Sequence, residues 1–254
     1  GCAANVAIDL TRQGVSADIV GCVGPDTSAR IVIEGLQEHG VGCSQIVTVA
    51  GLPTSKTVIL IVEGQDRRYL HTFGANQAFT VSHIGRDWLA ALKVFYLGGL
   101  LLLPSFRTEE LRQLLQFCRR QGVSTVVDVV TPQHTSGMAD IAPLLPYVDY
   151  FLPNDDEART LTGHADPQDQ LRALLDAGAG TVVITRGRLG ALAARQDGWW
   201  RVGAYAMEVV DPSGSGDAFS SGILAGIVRG WDLPRTLAYA TALGASAVRA
   251  VGTT

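Results

Sequence analysis

No apolar run in this chain approaches the ~20 residues that a membrane-spanning helix needs. The longest candidate, Val94 to Leu103, is interrupted by Gly98 and Gly99 and reads as a buried strand followed by a loop. Cysteine is scarce. Cys2, Cys22, Cys43 and Cys118 have neither the paired spacing of a zinc site nor the framework of a small disulfide-bonded domain, and they read as reduced thiols of a cytoplasmic protein. Positive charge is not in excess: the formal net charge is −4, so the basic footprint of a nucleic-acid-binding surface is missing. The chain lacks G-x-x-x-x-G-K-[S/T], which disfavours a P-loop NTPase. It also lacks a G-x-G-x-x-G after a first strand, which disfavours a dinucleotide dehydrogenase. No leader-like segment, low-complexity tract or internal repeat is detectable.

What is present is a hydrophobic share of 47% spread over 254 residues, enough to bury a large core as one α/β domain. Apolar β-branched runs (Val123 to Val130, Thr181 to Thr185) alternate with helical patterns (Glu109 to Arg120, Gln168 to Ala177). That alternation predicts a mainly parallel sheet covered by helices on both faces, with ligands gathered beyond the carboxyl ends of the strands. From Ser44 to Thr80 the alternation stops. Strands over Lys56 to Glu63 and Arg67 to Phe73 flank a turn at Gly64, Gln65 and Asp66 with no helix between them, the pattern of a hairpin. Arg67, Arg68 and His71 suit either a polar ligand or, more ordinarily, charge protection of an exposed edge strand.

The densest signal is DPSGSGDAFSSGILAGIVRG, Asp211 to Gly230. Gly214 and Gly216 permit backbone angles and close approaches that side chains forbid. They lead into a segment whose Phe219, Ile223, Leu224 and Ile227 recur at helical spacing. The first amides of a helix lack intrahelical partners and lie at the positive end of its dipole, so a phosphate over Gly214, Ser215 and Gly216 is held by backbone alone. Asp217 lies in the same first turn. A carboxylate there either caps the helix or takes a proton from an alcohol that attacks phosphorus. Gly222 and Gly226, four apart, mark a closely packed helix whose start is rigidly aimed.

This stretch resembles the second signature of the ribokinase-like (PfkB) carbohydrate kinases, roughly D-T-x-G-A-G-D-x-F, with Asp211, Gly214, Gly216, Asp217 and Phe219 in register. Further matches follow the family's order along nearly the whole chain. Gly1 to Gly14 resembles the end of the first signature, G-G-x-x-x-N-x-A. Gly21 to Arg30 resembles V-G-x-D-x-x-G, with Ala29 for the last glycine, and His71 to Asn76 contains the family's Gly-Ala-Asn. Tyr150 to Gly163 is similar to the N-x-x-E element, and Thr181 to Ala193 to T-x-G-x-x-G. Read alone, Asn154 to Glu157 is more simply a helix start whose acids complement the dipole, and Thr185 to Gly190 a common strand-turn-strand.

The resemblance implies a ribokinase-like three-layer α/β/α sandwich with a mainly parallel central sheet, a single kinase domain over residues 1–254 to which 44–80 contribute a small β lid. It implies ATP-dependent phosphorylation of a hydroxyl, a primary one, on a sugar or sugar derivative. By the same resemblance Asp217 is the general base and Gly214, Ser215 and Gly216 form the anion hole. Gly1 and Asn5 contact the sugar, while Asn154, Thr185, Gly187 and Gly190 lie on the nucleotide side. Glu157 would organise Mg2+ through water, and Asp211 with the backbone oxygen of Ser213 would hold K+. The lid closes over the sugar to exclude water and pairs with another subunit, so a homodimer is expected beside the sugar and ATP, with no nucleic acid or membrane as partner.

Some positions depart from the family pattern. Cys2 stands where ribokinase itself carries Lys, so ribose is not singled out as the sugar, and Val130 replaces the Asn of a D-x-N that begins at Asp128. Both ends read as incomplete, short of a preceding strand with an acidic sugar contact and of a closing nucleotide-side loop. Two other readings stay open. A nucleoside kinase of the same superfamily would use Tyr69, Phe73 and Phe79 as a slot for the base, although packing accounts for them as well. A sugar- or nucleotide-binding regulator without turnover would have no need of the intact Asp217.

Overall fold

The computed structural model describes residues 1–60, 68–132 and 134–253. In chain order the elements are α1 (Cys2–Arg12), β1 (Asp18–Val23), α2 (Thr27–Glu38), β2 (Gly42–Thr48), β3 (Lys56–Leu60), β4 (Arg68–Thr72), α3 (Arg86–Ala90) and β5 (Val94–Leu100). They continue with α4 (Thr108–Gln121), β6 (Ser124–Val129), α5 (Met138–Ile141), β7 (Tyr150–Phe151), α6 (Asp155–Thr162) and α7 (Pro167–Asp176). The last are β8 (Thr181–Thr185), β9 (Ala191–Arg195), β10 (Gly198–Val202), α8 (Ser215–Val228) and α9 (Leu233–Ala247).

The runs read as strands and helices from their periodicity become β6, β8, α4 and α7, with ends set by local chemistry. α4 stops at Gly122, whose φ of 73° is the left-handed conformation that glycine adopts without strain. α7 starts where Asp166 accepts from the Gln168 amide and Pro167 takes the first turn. Asp26, in the stretch matching V-G-x-D, caps α2 at Ala29 and also accepts from the amide and hydroxyl of Thr54. These hydrogen bonds hold its carboxyl down at about 2.

Among the described residues, β5 to β10 form a six-stranded sheet in the order β10-β9-β8-β7-β6-β5. β5 through β8 run parallel, and β9 and β10 close the far edge as an antiparallel meander. Side chains alternate across this sheet with the two-residue period of a strand. Phe95, Leu97, Val127, Val129, Phe151, Val182 and Ile184 face one side, where they meet Leu111 and Leu115 of α4, Leu161 of α6 and Leu171 and Leu174 of α7. Tyr96, Val126 and Val183 face the other, toward Val6 and Leu10 of α1, Phe219 and Ile223 of α8 and Leu237 of α9. The result is helix, sheet, helix, with strands buried on both faces, which is why they are written almost wholly in apolar residues. Each such fully buried side chain contributes roughly 1.5–3 kcal/mol over its exposed form.

The stretch 44–80 divides differently from a run of hairpins. Ser44–Thr48 belongs to β2, which pairs in parallel with β1 as a separate two-stranded sheet. The antiparallel ribbon is β3 against β4, with Val58 opposite Leu70, and single turns of 3-10 helix follow at Gly74–Ala78 and Val81–His83. The turn read at Gly64, Gln65 and Asp66, with Glu63 and Arg67 beside it, lies outside the described residues.

α8 differs from its expected one-faced pattern. Every residue from Ala218 to Gly226 is buried, because the helix is enclosed by α1, the sheet and α9. The two glycines four apart serve the α9 contact. A Cβ at Gly222 would lie 2.5 Å from the Cα of Ala240, and one at Gly226 2.4 Å from the Oγ1 of Thr236.

Candidate active site

The start of α8 is held open by a glycine that nothing else can replace. Gly214 has a φ of 79°, and a Cβ there would fall 2.4 Å from the carbonyl oxygen of Thr253. The amide of Ala218 closes the first helical turn onto the carbonyl of Gly214 at 2.8 Å, and the Ser215 amide reaches back to the carbonyl of Pro212 at 3.3 Å, so the amides of Gly216 and Asp217 are the ones left at the helix end. A Cβ at Gly216 would meet nothing within 4 Å, which leaves room over that turn. Asp217 is the third residue of the helix. Its Oδ2 accepts a 2.7 Å hydrogen bond from the Asn5 amide on α1, and Thr253 Oγ1 donates to Asn5 Oδ1 at 3.2 Å. Gly1 caps the same end of α1, its carbonyl accepting from the amides of Ala4 and Asn5.

Cys2 and Asn5 are three apart on α1 and so present side chains to one side. The Cys2 thiol and the carboxylate oxygens of Asp128 and Asp217 all lie within 4.8 Å of one another. Strand parity brings Asp128 there: Val94 and Tyr96 of β5 and Val126 of β6 pack in the core of α1 and α8, Asp128 is two residues beyond Val126, and Tyr96 donates to Asp128 Oδ2 at 2.9 Å. Burial raises the Asp217 carboxyl above its ordinary range, with the hydrogen bonds from Asn5 and Cys2 pulling it back. Asp128 is lifted well above that range by burial and by the charges of Glu157 and Asp217, against the hydrogen bond from Tyr96. Burial and the two aspartates push the Cys2 thiol up. An Asp217 of raised proton affinity is a better base than a solvated carboxylate.

The second cluster lies at the carboxyl ends of β7 and β8. Asn154 Oδ1 accepts from the Glu157 amide at 2.9 Å and Glu157 Oε2 from the Asn154 amide at 2.8 Å, a reciprocal cap on α6. The plain helix-start reading is therefore present in the geometry. Asn154 also forms an isolated parallel bridge to Thr185. Burial lifts the Glu157 carboxyl to about 7 despite its hydrogen bonds to Asn154, and Asp156 adds to the rise. Gly187, with a φ of 51°, opens the turn after β8, and a Cβ there would meet nothing within 4 Å. Gly190 has a packing reason of its own, since a Cβ would fall 2.0 Å from the carbonyl of Val202. Asp128, feeling the charge of Glu157, marks where the two clusters adjoin.

Asp211 and Ser213 are both buried in the turn before α8. Asp211 Oδ1 accepts from the Ser213 amide at 2.9 Å and Oδ2 from the Gly252 amide at 3.4 Å. Of the aromatic residues weighed as a base slot, two are engaged in packing. Phe79 is core, packed on Phe106 and His83, and Phe73 meets His71 edge-on. Sequence reading missed Tyr96, which sits in an apolar run that reads as core, and Thr253, which belongs to no motif. The parity of β5 was the available signal for Tyr96.

Residues 1–254 match the family described as pfkB family carbohydrate kinase. An ATP-dependent 6-phosphofructokinase from Thermoanaerobacterium thermosaccharolyticum is 28% identical over 260 residues, covering 99% of this chain and 79% of that one. The aminoimidazole riboside kinase of Salmonella enterica, solved with aminoimidazole riboside and an ATP analogue, superposes with a TM-score of 0.86 at 26% identity, over 100% of this chain and 86% of its own. An Escherichia coli protein provisionally named ribokinase II, solved with ATP and Mg2+, gives a TM-score of 0.87 at 26% identity, over 100% of this chain and 83% of its own. With a match that runs the length of the sequence and a mostly parallel sheet between helical layers, the chain belongs to the pfkB family of carbohydrate kinases.

Proposed function

We propose that this chain transfers the γ-phosphoryl group of ATP to a hydroxyl, a primary one, of a sugar or sugar derivative, with Asp217 as general base. The observation that carries the assignment of the base is a half-buried carboxyl at the third position of α8, gripped by Asn5 at 2.7 Å beside an open glycine turn. The nucleotide with its magnesium supplies the electrophilic phosphorus and part of the charge neutralisation. Asp217 takes the proton of the acceptor hydroxyl. The backbone amides at Gly214, Ser215 and Gly216 stabilise the equatorial oxygens, an interaction strengthened as charge moves. Asn5 spends one N–H on Asp217 and keeps the other for a sugar hydroxyl, beside Gly1.

On the nucleotide side Asn154, Thr185, Gly187 and Gly190 form the cradle, and the open space at Gly187 suits close approach by phosphate oxygens. Glu157 fits the magnesium role through water, because a partly buried carboxyl lifted to about 7 is returned to its ionised form by a nearby dication. Asp211 and the carbonyl of Ser213 would hold K+ beside the anion hole. The β3–β4 ribbon serves as lid and as the contact of a homodimer, and the free thiols of Cys2, Cys22, Cys43 and Cys118 suit the cytoplasm. Among the described residues no helix is long and apolar enough to cross a membrane.

The test is ADP release from ATP and magnesium against a panel of sugars, sugar acids and nucleosides, with Asp217→Asn as control. The wild type should turn over one class, and the variant should bind ATP normally while kcat falls by roughly 10²–10⁴. Near-normal kcat in the variant would remove Asp217 as base. Turnover of nucleosides alone would make this a nucleoside kinase, and ATP binding with no turnover a regulator.

A further inference from the structure

The amide of Asn5 has two ends of nearly the same shape and opposite polarity, and only one suits Asp217. With Nδ2 toward the carboxylate it donates at 2.7 Å; flipped, it would set a carbonyl oxygen against a carboxylate oxygen. The acceptor-only carboxylate decides between the two, and Thr253 then holds the amide from its other end. Thr253 Oγ1 donates to Asn5 Oδ1 at 3.2 Å, which limits rotation of the amide and draws electron density away from its N–H donors. Thr253 is itself placed by contacts made elsewhere. The neighbouring Gly252 amide reaches Asp211 Oδ2 at 3.4 Å, and the Thr253 backbone fills the space that a Cβ on Gly214 would occupy. The segment that packs on the glycine turn therefore also orients the donor on the carboxyl at position 217.

We propose that Thr253 is a positioning residue: by fixing the Asn5 amide it sets both the aim and the proton affinity of Asp217. This rests on reading Asp217 as the general base. The titratable side chains facing Asp217 are Cys2 and Asp9 from α1, Tyr96 from β5 and Asp128 from β6, with Glu157 of α6 behind Asp128. All of these are acids, so the side-chain hydrogen bonds from Asn5 and Cys2 favour the ionised carboxylate against burial. The hydroxyl of Thr253 acts one bond further out, through Asn5.

The experiment is a 13C NMR titration of the Asp217 carboxyl in the full chain, assigned by loss of the signal in Asp217→Asn, for wild type, Asn5→Ala, Thr253→Val, Thr253→Ala and Thr253→Ser. Removing the Asn5 donor should move the titration up by about one pH unit, the scale of a hydrogen bond to a charged group. Thr253→Val and Thr253→Ala should move it in the same direction by less, and Thr253→Ser should coincide with wild type. The acid limb of the kcat/KM profile should shift by the same amounts, with kcat reduced more than KM is raised. A Thr253→Val or Thr253→Ala titration that overlies wild type, or a shift that Thr253→Ser fails to reverse, overturns the proposal. Titrations that shift as expected in a protein with no kinase turnover would sustain the linkage and remove the kinase reading instead.

Discussion

Burial raises the carboxyl of Glu157 from an ordinary 4.5 to about 7, so this residue costs stability wherever it is ionised. Below about 4.5 the side chain is protonated in folded and unfolded chains alike and nothing is lost. Between there and about 7 the unfolded chain releases its proton first, stability falls, and above about 7 the loss is complete. The size is on the order of 1–3 kcal/mol. Glu157→Gln keeps an oxygen that accepts from the Asn154 amide, and glutamine is tolerated in a reciprocal cap. The variant should therefore melt higher than wild type at pH 8, by about 2–4 °C per kcal/mol for a chain of this size. The two should melt together at pH 4, while magnesium-dependent turnover falls in the variant. Thermal unfolding at the two pH values checks it, and a gain of equal size at both would show that the carboxyl is not held out of its ordinary range. A residue whose removal stabilises the fold and harms turnover is kept for its chemistry.

At the scale of elements, two glycines of α8 should separate packing from chemistry. Gly222→Ala places a methyl 2.5 Å from Ala240 Cα, a clash that only a shift of α8 against α9 can relieve, and should cost about 1–3 kcal/mol. Gly216→Ala meets nothing within 4 Å and lies in a helical turn that alanine favours, so its melting temperature should stay level or rise while turnover drops as the methyl enters the phosphate space. Melting curves and kcat for the pair test this, and a level melting curve for Gly222→Ala would remove the packing argument. The Gly222–Gly226 spacing was legible in sequence, as were β6, β8, α4 and α7, because each depends on neighbours within one element. What escaped depends on two elements meeting. Asn5 and Asp217 are 212 positions apart and Asn5 and Thr253 are 248 apart, and no local pattern encodes the fact that α1, α8 and the chain beyond α9 share one end. Likewise β2 reads as part of a hairpin region because its parallel partner β1 precedes it across a helix.

The whole molecule presents one surface that its own fold leaves uncovered among the described residues. Among the described residues β3 and β4 pair only with each other. On the face carrying Val58, Leu60 and Leu70, the opposed Val58 and Leu70 are 55% and 61% exposed. The other face mixes Ile59 with a polar pair, Thr57 Oγ1 and His71 Nδ1 2.8 Å apart. A two-stranded ribbon is marginal by itself in water, and clustered apolar residues on a surface mark an interaction site. In the proposed dimer a second copy of the chain, offering the same ribbon across a twofold axis, would cover the apolar faces of both copies at once. Sedimentation over a range of concentrations should then find a dimer. Leu70→Glu should give a monomer with a nearly unchanged melting temperature, because the side chain contributes nothing to the core, and, if the ribbon has the proposed lid role, with a raised KM for the sugar, because a lid freed from its partner would spend less time closed. A wild type that sediments as a monomer at every concentration would remove the dimer and leave the apolar face to be covered by the chain's own closure over the site.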